Sequence, residues 1–198
     1  MEILTPFSYV FGSEIVTEDL SELKTNTCFA NGKDQGKKEY TENPFTILNK
    51  YDYSKKILTD YFHKFIDEAF GYECKFRITT SWMTKIGKGE SVHFHNHVNS
   101  IWSGVFYFDE YTDKSCALQF RNPIGAQSPL SIGKCKNNVM TKDVGIQPEQ
   151  NLLLIFPSWI QHYSQPNEEK ERCSLAFNFM PEGLIGQSDS SYNPEWMV

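Results

Sequence analysis

The sequence predicts a mainly β protein (α+β): a closed or sandwich-like antiparallel β-domain preceded by one helix. Three observations carry the prediction. Aromatic residues make up 15% of the 198-residue chain, a share that suits a β-rich interior. One stretch has helical periodicity. After it come six short runs of β-type composition, divided by turn-forming segments. A chain of this length is expected to form a single domain, 1–198, large enough to bury a real core.

Residues 1–50 read as irregular. The stretch TNTCFANGKDQGKKEYTENP is polar and rich in Gly, Asn and Lys, and at most a short strand near Phe7–Val10 precedes it. From Tyr53 the pattern changes. Ile57, Tyr61 and Phe65 form one i, i+4 row, with Leu58, Phe62 and Ile66 beside it. These rows predict an amphipathic helix over 53–70, capped by Asp52 at its start and Gly71 at its end. His63 lies on this helix, apart from the other histidines, and reads as a surface or packing residue. The β-core follows over 73–180. Its runs are CKFRITTSWMTKI, VHFHNH, SIWSGVFYFDE, CALQFRN, NLLLIFP and RCSLAFNF, separated by GKGE, YTDKS and PIGAQSPLSIGKCKNN. A tail, 181–198, closes the chain. There is no internal repeat.

Composition narrows the function classes. No run of 18 apolar residues occurs and the N-terminus lacks a basic region, so neither a membrane span nor a signal peptide is expected. The net charge of −6 argues against nucleic acid as an obligatory partner. The five cysteines form no CxxC pair and are odd in number, which disfavours a disulfide scaffold or a zinc knuckle. Free thiols in a reducing cytosol, hence a cytoplasmic protein, are the plain reading.

Three of the five histidines fall within GESVHFHNHVNS: His93, His95 and His97. Residues two apart on a strand share a face, so these imidazoles can line one side of an extended segment. Neutral imidazole is the commonest metal ligand, and a pair two apart can bind one ion from one side. Taken alone, the pattern equally fits exposed polar residues on a sheet edge.

The second half of the pattern is NLLLIFPSWIQHYSQPNEEKERCSLAFNF. An apolar strand, Leu152–Phe156, enters a proline-bearing corner and reaches His162. Ten residues on stands Arg172, on the same face as Ser174 in a strand that alternates with Cys173, Leu175, Phe177 and Phe179. If that apolar set packs, Arg172 and Ser174 face a cleft, where a guanidinium beside a hydroxyl suits capture of a carboxylate. The alternative is a surface arginine paired to the acidic NEEKER run.

Together these segments resemble the 2-oxoglutarate- and iron(II)-dependent oxygenases. GKGESVHFHNHVNSIWSGVFYF, LQFRNP, LLLIFPSWIQHYSQPN and the R-x-S-x-AFNF pattern are similar to the small oxygenases of bacteriophages and marine bacteria in the prolyl-hydroxylase-like group, over about residues 76–180. The resemblance implies a double-stranded β-helix, a cupin-like jelly-roll barrel with Fe(II) at its open end. It implies 2-oxoglutarate as co-substrate and O2 as oxidant, with succinate and CO2 released as a prime substrate is hydroxylated. Carried over by position, His162 is the distal metal ligand, Arg172 the anchor of the co-substrate's far carboxylate and Ser174 its helper. Tyr107, in SGVFYF, matches a position where a tyrosine hydroxyl often meets the same carboxylate, and a packed barrel aromatic is the other reading. Trp82, Trp102 and Trp159 read as core or cavity walls. A viral source would place the protein in host cytoplasm.

The usual first motif of such enzymes is HxD or HxE, and no Asp or Glu stands two after any of the three histidines. Relatives commonly carry an aromatic-x-x-Gly turn whose Gly lies about six residues before the first ligand. Gly89 stands six before His95, which favours the pair His95 and His97, whereas counting back from Tyr107 also accepts His93 and His95. Either way the metal meets three imidazoles, a neutral set that also suits zinc or nickel. Two other functions stay open at this point: a barrel that binds metal and 2-oxoglutarate without turnover, as a sensor or phage-associated module, and a three-His cupin-type dioxygenase. The prime substrate is not written in the sequence. A homodimer is an allowed assembly that no residue specifies.

Overall fold

The computed structural model describes residues 9–25, 45–125, 141–186 and 188–193. Its strands are β1 (Gly12–Ile15), β2 (Phe76–Gly87), β3 (Trp102–Tyr107), β4 (Leu118–Arg121), β5 (Asp143–Ile146), β6 (Leu152–Pro157), β7 (His162–Ser164) and β8 (Glu171–Pro181). A short helix, α1 (Glu22–Thr25), and a long one, α2 (Asp52–Phe70), precede β2. The five-stranded sheet has the order β1-β6-β3-β8-β2 and the three-stranded sheet β5-β4-β7, every pairing antiparallel. The histidine-bearing segment continues the small sheet beyond β7 through a bridge between His95 and His162. This is the eight-position arrangement of a double-stranded β-helix, the fold class expected.

Both faces of the large sheet are covered. On one side α2 lays Leu58, Phe62 and Ile66 against Phe106, Leu175 and Phe179, the Phe62 and Phe179 rings stacking at 3.7 Å. On the other, Trp82, Val105, Leu154, Phe156 and Ala176 pack with Leu118 and Phe120 of the small sheet. Burial on both faces explains why β3 and β6 read as continuous apolar runs rather than as alternations.

α2 ends as expected. Gly71 takes the left-handed conformation, φ 62°, and its N–H reaches the carbonyls of Ile66 and Asp67. Its start differs: Tyr51, not Asp52, is the N-cap and its side chain makes no cap bond, Glu22 Oε1 of α1 accepts the Ser54 N–H at 3.1 Å, and Asp52 lies in the first turn. There its charge complements the helix dipole without taking up a backbone N–H. His63 is a packing residue, its Nε2 accepting the Phe76 N–H at 3.1 Å where β2 begins.

Three further expectations change. The N-terminal segment is not irregular throughout, because β1 pairs with β6 from Gly12↔Ile155 to Ile15↔Leu152. Four residues give too little periodicity to be read locally, and it is the neighbouring strand that organises them. Tyr9 and Val10 lie outside any strand, and Phe7 lies outside the described residues. VHFHNH is not a strand: only His95 pairs, with reciprocal N–H···O bonds of 3.0 and 2.8 Å to His162. β5 and β7, four and three residues long, escape sequence reading for the same reason as β1.

Cys74, Cys116 and Cys173 are free thiols, while Cys28 and Cys135 lie outside the described residues. So do 26–44, most of the loop between β4 and β5, and 194–198. Among the described residues no helix is long and apolar enough to cross a membrane.

Candidate metal centre

Four strands aim the site. On β8 the apolar set Cys173, Leu175, Phe177 and Phe179 packs under α2, so Arg172, Ser174, Ala176 and Asn178 face the barrel interior, as the alternation required. On β3, Ser103, Val105 and Tyr107 face inward for the same reason, and β6 supplies Leu154 and Phe156. β2 needs a correction of phase. A β-bulge between Ile78 and Thr80 makes Phe76 and Ile78 point to the helix side, yet turns Thr80, Trp82 and Thr84 inward. The bulge thereby sets Thr80 opposite Asn178 and Thr84 opposite Ser174.

The ligand-capable nitrogens of His95, His97 and His162 all lie within 4.8 Å of one another, and among the described residues this is the one group of such side chains able to hold a metal ion. Of the two registers the sequence allowed, this convergence is that of His95 and His97. His93 is exposed and outside the cluster. Backbone contacts fix the three donors: His95 pairs with His162, and the His97 N–H bonds the Ser158 carbonyl at 2.9 Å.

The tautomers follow from the partners. A carbonyl oxygen only accepts, so His95 Nδ1–H donates to the His93 carbonyl at 2.6 Å and His162 Nδ1–H to that of Ile160 at 3.0 Å. His97 Nδ1 lies 2.7 Å from Asn178 Oδ1 and 2.8 Å from Ser103 Oγ. His95 and His162 thus leave Nε2 free, and His97 does the same when its Nδ1–H donates to the Asn178 oxygen, the arrangement a metal-binding imidazole set requires. Burial keeps the His97 and His162 rings neutral. It pushes the His162 imidazole down to about 3, helped by repulsion from His95 and His97. It pushes His97 down to about 4, with the Asn178 bond opposing and His95 assisting.

The same cavity is lined by Tyr107, Arg172 and Ser174. Arg172 is only 3% exposed, and among the described residues no carboxylate pairs with it. One of its terminal nitrogens donates to the Tyr107 hydroxyl at 3.3 Å and to the Cys116 carbonyl at 3.1 Å, while its Nε is buried without a partner. The surface ion pair with the NEEKER run is therefore not formed. Burial raises the Tyr107 phenol, partly offset by Arg172, so the hydroxyl stays protonated. A buried guanidinium lacking a counter-ion is costly unless an anion joins it. The residues present thus fit a cation at the histidines and a carboxylate at Arg172.

Trp82 walls the cavity and stands edge-on to His97 at 5.3 Å between centroids. Trp102 is core beneath α2. Trp159 departs from expectation: it is 51% exposed, with Tyr9 against it at 5.3 Å. Sequence reasoning missed Asn178, Ser103 and Thr80. The polarity of Asn178 and Ser103 among buried apolar neighbours was the available signal, whereas Thr80 stands in a strand with several polar residues.

Residues 80–178, half of the chain, match the family model described as "Putative 2OG-Fe(II) oxygenase". Among solved structures, a 2OG-Fe(II) oxygenase family oxidoreductase from Burkholderia pseudomallei is similar at 14% identity and TM-score 0.48, over 64% of this chain and 56% of that one. A Pseudomonas putida prolyl-4-hydroxylase is similar at 17% identity and TM-score 0.42, over 62% and 60%. The chain thus spans less than two thirds of the length of either. No curated protein matches it in sequence.

Proposed function

This chain belongs to the 2OG-Fe(II) oxygenase family, and on that premise we propose that it is an Fe(II)- and 2-oxoglutarate-dependent dioxygenase. It would hydroxylate an unidentified prime substrate with release of succinate and CO2. The observation that carries the reading is one cavity holding both three convergent imidazoles and a buried arginine without a counter-ion.

In this reading His95, His97 and His162 hold the metal, which when bound supplies the oxidative decarboxylation of 2-oxoglutarate and the activation of O2. Arg172 takes the co-substrate's far carboxylate, with its Nε and terminal nitrogens as donors, and the Tyr107 hydroxyl and Ser174 lie beside it. The Nδ1–H bonds hold each ring at fixed tilt, so binding requires little reorganisation. Trp82, Val105, Leu118 and Ala176 exclude water between the two ends.

The test is O2-dependent succinate formation from 2-oxoglutarate with added Fe(II) and ascorbate. Turnover is expected even without prime substrate, at an uncoupled rate, and is expected to vanish in His162→Ala and Arg172→Met. A second reading rests on the all-imidazole donor set: a neutral site binds iron(II) less tightly than one carrying a carboxylate, which suits a barrel that binds 2-oxoglutarate without turnover. Stabilisation by 2-oxoglutarate with no succinate formed under any substrate would select that reading over the first.

A further inference from the structure

His97 differs from the other two donors in what fixes it. His95 and His162 give their Nδ1 protons to main-chain carbonyls, which cannot change role. His97 faces side chains only, the Asn178 amide and the Ser103 hydroxyl. Both of these groups can present either a donor or an acceptor. The Asn178 amide is held from behind: its Nδ2 donates to Thr80 Oγ1 at 2.9 Å, and Ser103 Oγ approaches its Oδ1 at 2.8 Å. Thr80 occupies that place because of the bulge in β2.

Turning the amide over would aim an N–H at His97 Nδ1. The ring proton would then sit on Nε2, the atom that must be free for a metal. The orientation of one amide and the ligand capacity of one imidazole are therefore a single choice.

We infer that Asn178, supported by Thr80, is a positioning residue that commits His97 to the Nδ1–H tautomer and so completes the three-imidazole site. This deepens the metal-centre reading proposed above and rests on it. Asn178 needs to touch neither metal nor substrate. Its role is to give the third imidazole the carbonyl that main chain gives the first two.

The experiment uses the metal-free full chain and Co(II) alone as probe. Long-range nitrogen–proton NMR on 15N-histidine protein reads the His97 tautomer, and the visible band of Co(II) reads affinity. The wild type is expected to show Nδ1–H at His97. Asn178→Ala is expected to lose that preference and to bind Co(II) about 10–100-fold more weakly, the usual effect of removing a ligand's outer hydrogen bond. Asn178→Asp, which keeps an acceptor at the same place, is expected to restore both, and Thr80→Val to shift the tautomer part-way. An Nε2–H tautomer in the wild type overturns the inference, as does Asn178→Asp behaving like Asn178→Ala. Should Asn178→Ala fail to fold, the wild-type tautomer and the Asn178→Asp and Thr80→Val proteins still decide. Failure of the wild type to bind Co(II) at all removes the metal-centre reading instead, and the tautomer result then stands or falls separately.

Discussion

Arg172 is where a single residue says most about function. A charged side chain buried without a counter-ion is a stability cost that a bound carboxylate would remove. Arg172→Met, similar in volume, is expected to leave the ligand-free melting temperature unchanged or raised while abolishing stabilisation by 2-oxoglutarate. In the wild type a concentration of a hundred times Kd should add about 2.7 kcal/mol, readable as a shift in melting temperature. A wild type that 2-oxoglutarate does not stabilise would remove the carboxylate assignment. The histidines set a pH dependence. In the folded, metal-free chain His162 titrates near 3 and His97 near 4, both depressed from the ordinary value of 6.5. The unfolded chain therefore takes up protons first as pH falls. Stability is full above about pH 6.5 and declines toward pH 3–4, by about 1.4 kcal/mol per unit for a group such as His162. Melts of the metal-free protein from pH 7 to 4 should show that slope, and His162→Gln should lessen it; equal slopes would count against the buried neutral imidazole.

At the scale of elements, the close approach of β3 and β8 is set by Gly104. A Cβ there would lie 2.4 Å from the Phe177 ring, on the α2 side of the sheet. The ring is fully buried in the cluster that holds Leu175 and Phe179. Gly104→Ala is expected to cost about 1–3 kcal/mol through overpacking, measured as a lowered urea midpoint with unchanged slope. An unchanged midpoint would show that the sheet yields at this point. The β2 bulge matters in another way. It lets one strand place Phe76 and Ile78 under the helix and still turn Thr80, Trp82 and Thr84 toward the cavity. Without the bulge Thr79 would take the place opposite Asn178, and Thr80, Trp82 and Thr84 would turn to the helix side.

For the whole molecule, the site joins parts of the chain that share no local structure. The loop after β2 gives His95 and His97, the start of β7 gives His162, and β8 gives Arg172 and Asn178. An ion bound at the histidines links that loop to the small sheet, so binding acts on global stability. Co(II) is expected to raise the melting temperature of the wild type, chelator to reverse the gain, and His95→Ala to show neither effect. A gain preserved in His95→Ala would place the ion elsewhere.

The β-class of the fold, the α2 helix with Gly71 at its end, the inward row Arg172–Ser174 and the three histidines were legible in the sequence. Each rests on a periodicity or a spacing that local chain geometry enforces. The short strands β1, β5 and β7 were not legible, since three or four residues carry too little pattern and their partners alone define them. Nor was the choice among His93, His95 and His97. All three fit a strand face, and the segment is no strand; the bridge to His162 and the bond to Ser158 bring two of them to His162 and leave His93 outside. Asn178 lay on the correct face of a strand that periodicity could orient. Its bond to His97, 81 residues away, exists only because the sheet and the bulge bring Thr80, Ser103 and Asn178 together. Sequence thus determined which residues were chemically able to form the site. Tertiary pairing decided which of them met, because hydrogen-bond partners and burial are properties of neighbours distant in the chain.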